Sequence, residues 1–168
     1  MLEFNVLDSK VKVVSLKNGI KAECIPQIVQ NLSVALASTY NLYLKTQGFH
    51  WNNVGPLFYS LHKLSEDQYQ ELAEATDTLA ERIRALGHIA PASFSQFKEL
   101  SRIKEDNPIL TTQENLQNLI ADHEIMASFL RESSQQAQEF NDEATADLYA
   151  SRIATHEKYA WMLRATIS

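Results

Sequence analysis

Residues 56–87 read PLFYSLHKLSEDQYQELAEATDTLAERIRALG and predict one long amphipathic helix, with Gly87 as its C-terminal stop. Four potential metal ligands lie on this helix: His62, Glu66, Asp77 and Glu81. A helix turns by about 100° per residue, which places all four within an arc of roughly 100° on one face. Because a helix rises by about 1.5 Å per residue, His62 and Glu81 lie about 28 Å apart along the axis. One metal ion therefore cannot contact both ends of this row of four ligands.

A second copy of this helix could complete the row of ligands. If two copies lie antiparallel about a two-fold axis near Glu71, Glu66 approaches the partner's Asp77 and His62 approaches the partner's Glu81. Two symmetric sites would then lie between subunits. The alternative is that these acids decorate a solvated face and that His62 is an ordinary packed histidine. That alternative is weakened because the four residues share one side, next to the apolar stripe.

The remaining sequence predicts three further long helices around this one. Apolar residues recur at three- and four-residue intervals, and the predicted long helices are 26–51, 56–86, 112–140 and 141–167. Asn141 is the predicted cap of the last helix. The connection 88–111 is long for a bundle and should contain a short helix near 93–103. Two helices, a long crossover and two more helices describe an all-α, ferritin-like antiparallel four-helix bundle.

Composition limits the class of protein. The 168 residues, 45% hydrophobic and 21% charged, indicate one globular domain, with residues 26–168 as the bundle and 1–25 as an N-terminal arm. A single cysteine, Cys24, excludes an internal disulfide and fits a reducing compartment. No secretory signal or membrane span is predicted, so we expect a cytoplasmic protein without a membrane partner. The net charge of −6 argues against a broad polyanion-binding surface.

Two common metal motifs are absent from the sequence. The usual di-iron bundle carries Glu-x-x-His pairs that project into its core. The residues three before the five histidines are Gln47, Tyr59, Ala85, Ile120 and Ile153, so a centre inside the bundle is disfavoured. A zinc protease helix carries the motif H-E-x-x-H. His123 and Glu124 begin such a motif, but Ala127 occupies the position of its second histidine. Any metal site should therefore lie between subunits.

Three segments resemble the Dps family, the mini-ferritins named as DNA-binding proteins from starved cells. Two are stretches of sequence, HWNNVGPLFYSLHKLSEDQYQEL at 50–72 and DTLAERIRALG at 77–87, and the third is the aromatic position Trp161 in the last helix. The resemblance covers roughly residues 26–167. It implies a ferroxidase centre at a two-fold dimer interface. His50, His62 and Glu66 would come from one subunit and Asp77 and Glu81 from its mate. The family commonly places Asp where this chain has Glu66, and Asp67 points about 100° away.

The resemblance also implies an activity. Family members oxidise Fe(II), preferentially with hydrogen peroxide, and deposit ferric oxide in a hollow dodecameric shell, which protects DNA under oxidative stress. Carboxylates with imidazoles suit Fe(II), and zinc is an alternative occupant of the same ligands. Two iron positions are expected in each inter-subunit site. Trp51, next to His50, either absorbs stray oxidising equivalents or is a simple interface aromatic.

Acidic residues open the last predicted helix, where the family lines its three-fold pores: Asp142, Glu143 and Asp147. A ring of acids draws cations towards a pore. The alternative is that these acids only complement the positive end of the helix dipole. Asp147 is the strongest candidate for a pore position.

Direct DNA binding is predicted to be weak. The N-terminal segment carries four lysines, but acids and apolar residues interleave with them: Lys10, Lys12, Lys17 and Lys21. Twelve copies of a weak tail could still act together. A DNA-compacting Dps protein, associated with the nucleoid and with a secondary or impaired metal centre, is the alternative function. A helical scaffold without metal is a third, and it requires the ligand spacing to be a coincidence.

Overall fold

The computed structural model describes residues 17–105 and 110–167, and all of its regular elements are helices. The element order is α1 (Ile25–Asn52), α2 (Phe58–Ala85), α3 (Phe94–Leu100), α4 (Thr112–Glu139) and α5 (Glu143–Thr166). No strand occurs in these ranges, so the predicted all-α bundle with a short helix in the crossover is confirmed. The predicted N-terminal arm lies mostly outside the described residues, and its boundary stays a prediction.

The four long helices form two hairpins that share one core. Helix α1 packs against α2 and α4, α4 packs against α5, and α3 lies on α1. All four long helices contribute large side chains that are completely buried: Leu32, Leu42, Leu61, Leu72, Leu79, Ile83, Leu116, Met126, Leu130, Tyr149 and Leu163. Each buried leucine contributes about 2 kcal/mol, so the core outweighs any single polar contact. None of the described helices combines the length and apolar character needed to cross a membrane.

Helix α2 begins two residues later than the sequence predicts, at Phe58 instead of Pro56. Gly55 adopts a φ of +113°, and the Phe58 N–H donates to the Gly55 carbonyl at 3.0 Å, so Pro56 lies in a turn. The predicted stop at Gly87 is confirmed. Its φ is +80°, and the N–H groups of Gly87 and His88 donate to the carbonyls of Arg84 and Ile83. This paired closure satisfies the last carbonyls of α2.

The cap of α5 is Asp142, so the prediction of Asn141 is wrong by one residue. Asn141 instead has a φ of +57° and turns the chain from α4 into α5, a conformation that asparagine tolerates. The Asp142 carboxylate accepts a hydrogen bond from the Thr145 N–H at 3.0 Å. The tight turn makes α4 and α5 antiparallel.

Two histidines lie completely inside the bundle. His123 of α4 and His156 of α5 are both 0% exposed, and their Nδ1 atoms are 2.9 Å apart. Burial, together with the charge of Arg152, lowers the pKa of His123 to about 3. Burial also lowers the pKa of His156 well below its ordinary value, with His123 and Arg152 adding to the effect. Both imidazoles are therefore neutral near pH 7.

The buried pair should make the protein sensitive to mild acid. Above pH 6.5 these histidines are neutral in both the folded and the unfolded chain, so they add no pH dependence to the free energy of unfolding. Below it the unfolded chain takes up two protons that the folded chain refuses, and stability falls by up to about 1.4 kcal/mol per pH unit for each histidine. Urea unfolding between pH 7 and 5, at one protein concentration, measures this slope. We expect the His123→Gln, His156→Gln double variant to flatten it and His88→Gln to change it far less. An unchanged slope in the double variant would assign the acid sensitivity elsewhere.

Candidate metal centre

His50 and His62 face each other across the turn between α1 and α2. His50 lies in the last turn of α1 and His62 in the second turn of α2. Their rings stack with centroids 3.7 Å apart and planes 19° from parallel. His50 is buried and His62 is half-buried. The short hairpin connection thus brings together two imidazoles that are twelve residues apart in sequence.

Reciprocal hydrogen bonds fix the protonation of both rings. The His50 Nδ1 lies 2.8 Å from the His62 carbonyl oxygen, and the His62 Nδ1 lies 3.1 Å from the His50 carbonyl oxygen. A carbonyl only accepts, so each Nδ1 must carry the proton and donate. In the neutral ring, the lone pair is then on Nε2, the atom that binds a metal. Backbone carbonyls commonly orient metal-binding histidines in this way.

Aromatic rings hold the two imidazoles in place. The Tyr69 ring meets His50 edge-on, with centroids 5.1 Å apart, and Phe58 stacks on His62 at the same centroid distance. Tyr69 in turn contacts Tyr43 of α1. These contacts restrict rotation of the imidazoles, which favours a preorganised ligand pair.

Glu66 lies one turn after His62 and carries a negative charge. Lys63 donates to its carboxylate at 2.6 Å and, by that hydrogen bond and its charge, lowers the pKa of Glu66. His50 and His62 lower it further. Lys63 was not predicted to belong to the site, although a lysine three residues before a glutamate is a recognisable helical pair. A metal that binds Glu66 must compete with the Lys63 ammonium.

Removing this competitor should strengthen metal binding. Lys63→Gln is expected to lower the Kd of the first divalent ion by about threefold, the modest effect typical of exposed ion pairs. Calorimetric titration with Zn(II), which does not oxidise, measures the change. Lys98→Gln is the matched control, because Lys98 pairs with Glu105 at 3.5 Å and belongs to α3. Weaker binding in the Lys63 variant would show that Lys63 orients Glu66 for the metal.

Asp77 and Glu81 lie far from this cluster. Both are exposed on α2, which is one uninterrupted helix. The helical rise puts Asp77 about 16 Å beyond Glu66. Across residues 17–105 and 110–167, no three His, Cys, Asp or Glu side chains are grouped to hold a metal ion. The structure thus brings His50 and His62 together. Glu66 lies one helical turn beyond His62 with its carboxylate on Lys63, and Asp77 and Glu81 lie at the other end of the helix.

Exposed aromatic side chains lie near both ligand groups. Trp51 is 62% exposed next to His50, and Phe94 is 76% exposed on α3. Asp77 lies at the edge of a cavity of about 450 Å³ that Tyr40, Phe94 and Phe97 also line. Apolar surface of this kind commonly marks a protein interface. The exposure of Trp51 therefore favours its interpretation as an aromatic residue of a subunit interface.

The three candidate pore acids differ in their surroundings. Asp142 is 2% exposed and its carboxylate is engaged by Arg82 at 2.6 Å as well as by Thr145. Glu143 and Asp147 are exposed in the first turns of α5. Of the three, only these two present carboxylates at the surface of the subunit.

Known proteins resemble this chain over most of its length. Residues 29–168 match the family model of the ferritin-like domain. A low temperature-induced protein of Nostoc sp. is 39% identical over 153 residues, 89% of this chain and 84% of that protein. DNA protection during starvation protein 2 of Bacillus anthracis is 34% identical over 84% of this chain and 97% of its own length.

The similarity extends to solved structures. A Dps protein from Vibrio cholerae O1, described as a member of a broad superfamily of ferritin-like diiron-carboxylate proteins, superposes with a TM-score of 0.86. The two sequences are 31% identical, over 95% of this chain and 100% of the other. The range matched by the family model contains all five candidate ligands.

Proposed function

This chain belongs to the Dps family of ferritin-like proteins, and on that premise we propose that it oxidises Fe(II) at centres shared between two subunits. The ferric product is stored inside a shell of identical subunits. The observation that carries the proposal is the His50–His62 pair, whose Nδ1 hydrogen bonds leave the Nε2 lone pairs for a metal, with the ionised Glu66 one helical turn after His62. Asp77 and Glu81, exposed on the same helix, supply the remaining ligands from the partner subunit.

The proposed ligand set suits the oxidation of Fe(II). Two imidazoles bind the divalent substrate, and three carboxylates stabilise the higher charge of the ferric product. Two Fe(II) ions, one hydrogen peroxide and two water molecules give two FeOOH units and four protons. The O–O bond of the peroxide breaks and accepts one electron from each iron. Pairing the irons prevents the release of a hydroxyl radical from a one-electron step.

Uptake and storage of iron require an assembly. We assign the shell twelve subunits, by analogy with the family, and place Glu143 and Asp147 at the pore through which Fe(II) enters. Their exposure on the surface of α5 supports this placement. Asp142 belongs instead to the cap of that helix, because its carboxylate already bonds Arg82 and Thr145.

The test is anaerobic loading with Fe(II), followed by a stoichiometric pulse of hydrogen peroxide. Ferric absorbance reports oxidation, and size-exclusion chromatography reports whether iron elutes with a large particle. We expect rapid oxidation in the native protein and in Asp67→Asn, and slow oxidation in Glu66→Ala. Asp67 is the matched control because it is the neighbouring exposed acid on the same helix. A native rate equal to that of protein-free solution would contradict the proposal.

Protection of DNA is a second candidate role, favoured by the name of the Bacillus anthracis relative. Consumption of peroxide and Fe(II) would protect DNA without contact. Plasmid nicking by iron and peroxide, combined with a gel-shift assay, separates the two routes. We expect the native protein to prevent nicking without shifting the plasmid and His62→Ala to lose protection. Protection retained by that variant, together with a band shift, would favour direct binding.

A further inference from the structure

Three tyrosine rings form a continuous path that begins at the histidine pair. The Tyr69 ring of α2 meets His50 with centroids 5.1 Å apart. Tyr43 of α1 lies 6.2 Å from Tyr69, and Tyr40, one turn earlier on α1, lies 5.8 Å from Tyr43. All three contacts are edge-on, with planes between 61° and 72° apart. These separations are those of aromatic rings in direct contact.

The path ends at the cavity that contains Asp77. Tyr40 and Asp77 both line this cavity. The proposed function assigns Asp77 to the second centre of a two-fold dimer, whereas His50 belongs to the first. The tyrosines therefore lead from a ligand of one centre to the surroundings of a ligand of the other, within a single subunit.

The chemistry of the three side chains differs from that of simple packing. Phenylalanine would fill the same space, as Phe97 does where it packs on Tyr40 with centroids 4.7 Å apart. A phenol, unlike a phenyl ring, loses one electron readily because it can release its hydroxyl proton at the same time. Each of the three tyrosines is half-buried within the subunit, so water can accept that proton.

Distance explains why intermediate rings are needed. The helical rise separates His62 from Asp77 by about 22 Å along α2. Electron transfer slows exponentially with distance, so a single step over this length is ineffective. Steps between rings whose centroids are 5.8 and 6.2 Å apart are short enough to be fast.

We propose that Tyr69, Tyr43 and Tyr40 carry an oxidising equivalent between the two iron centres of a dimer. The proposal rests on the proposed iron oxidation and concerns a centre that holds only one Fe(II). That Fe(II) and Tyr69 each give one electron to hydrogen peroxide, whose O–O bond breaks. The Tyr69 hydroxyl proton joins one of the two oxygens. The products are Fe(III), hydroxide, water and a neutral tyrosyl radical, so no hydroxyl radical is released.

The radical then moves along the path. Tyr43 gives an electron to Tyr69 and Tyr40 gives one to Tyr43, and each phenol proton is exchanged through water. At the end, Fe(II) in the second centre gives an electron to Tyr40, and a water molecule gives a proton and becomes hydroxide. Two Fe(II) and one hydrogen peroxide have then become two Fe(III) and two hydroxide ions, and every tyrosine is restored.

Electron paramagnetic resonance tests the path by a readout other than activity. The assembled protein is loaded anaerobically with one Fe(II) per centre, mixed with hydrogen peroxide and frozen at successive times. We expect a tyrosyl signal that rises and then decays as Fe(III) forms. Ring-deuterated tyrosine should narrow this signal, and deuterated tryptophan should leave it unchanged, which separates the path from oxidation of Trp51.

Tyrosine-to-phenylalanine variants keep the packing and remove only the phenol. Tyr69→Phe should lose the tyrosyl signal and release hydroxyl radical that a spin trap captures. Tyr43→Phe should form the signal at Tyr69 but let it decay more slowly, because the next ring cannot be oxidised. Tyr59→Phe is the matched control, since Tyr59 is 72% exposed at the start of α2 and lies outside the path. Unchanged Zn(II) affinity in each variant verifies that the histidine pair is intact.

The possible results separate the path from the proposed function. A signal that resides on tryptophan, or one that survives in Tyr69→Phe, would overturn the path. Equal decay in Tyr43→Phe and the native protein would overturn transfer between centres. Oxidation of Fe(II) without any tyrosyl signal would overturn the path and leave the proposed function standing. No oxidation above the protein-free rate would overturn both.

Discussion

Subunits carrying His62→Ala and subunits carrying Asp77→Ala should regain about a quarter of the native ferroxidase rate when assembled together, because each two-fold dimer holds two sites. Each variant alone should be at least about a hundredfold slower, since it loses a ligand at every site. In a mixed dimer, one site loses both ligands and the other keeps both. Random pairing makes half of the dimers mixed, and half of their sites are intact.

The measurement uses co-expressed subunits with different affinity tags, purified through both tags. Oxidation of Fe(II) by a hydrogen peroxide pulse is then followed per subunit. The matched control combines His62→Ala with Glu66→Ala. Both substitutions fall in the same half of the site, so every site in a mixed dimer stays defective and no rate returns. Recovery in this control, or no recovery in the first mixture, would contradict a centre shared between subunits.

The positions of the helices could be predicted from local features of the sequence. The three- and four-residue period of apolar side chains, the break at residues 52–56 and Gly87 define the hairpin of α1 and α2. The errors fall at helix starts. Pro56 suits a first turn by its fixed φ, but the positive φ of Gly55 delays α2 to Phe58. Asn141 and Asp142 are both good caps, and the left-handed turn at Asn141 decides between them.

The candidate ligands could be predicted from their spacing in the sequence, but the tautomers of the two histidines could not. Nothing in the sequence predicts that His50 and His62 donate to each other's carbonyl oxygens, because that geometry depends on how the hairpin closes. The burial of His123 had a sequence signal, since it lies in helical register with Leu119, Met126 and Leu130. Its partner, His156, is thirty-three residues away, and only the packing of α4 on α5 identifies it.

Loss of the Asp142 carboxylate should be the most damaging single change to stability outside the apolar core. We expect Asp142→Ala to lower the free energy of unfolding by about 3 to 5 kcal/mol, because it removes the negative charge that pairs with Arg82 and the side chain that caps α5. Asp142 is almost fully buried and bonds Arg82 at 2.6 Å and the Thr145 N–H at 3.0 Å. The Thr145 hydroxyl links the two by donating to Asp142 and accepting from the Arg82 Nε. Urea unfolding at fixed protein concentration measures the loss.

Two further variants separate the cap from the ion pair. Asp142→Asn keeps an oxygen that caps α5 but loses the charge, so it should lose about half as much stability as Asp142→Ala. Arg82→Met combined with Asp142→Ala should be less damaging than Asp142→Ala alone, because no unpaired charge remains near the core. Glu143→Ala is the control, since it removes an exposed acid from the same helical turn. Equal losses for Glu143→Ala and Asp142→Ala would mean that the helix dipole, and not the buried network, sets the role of these acids.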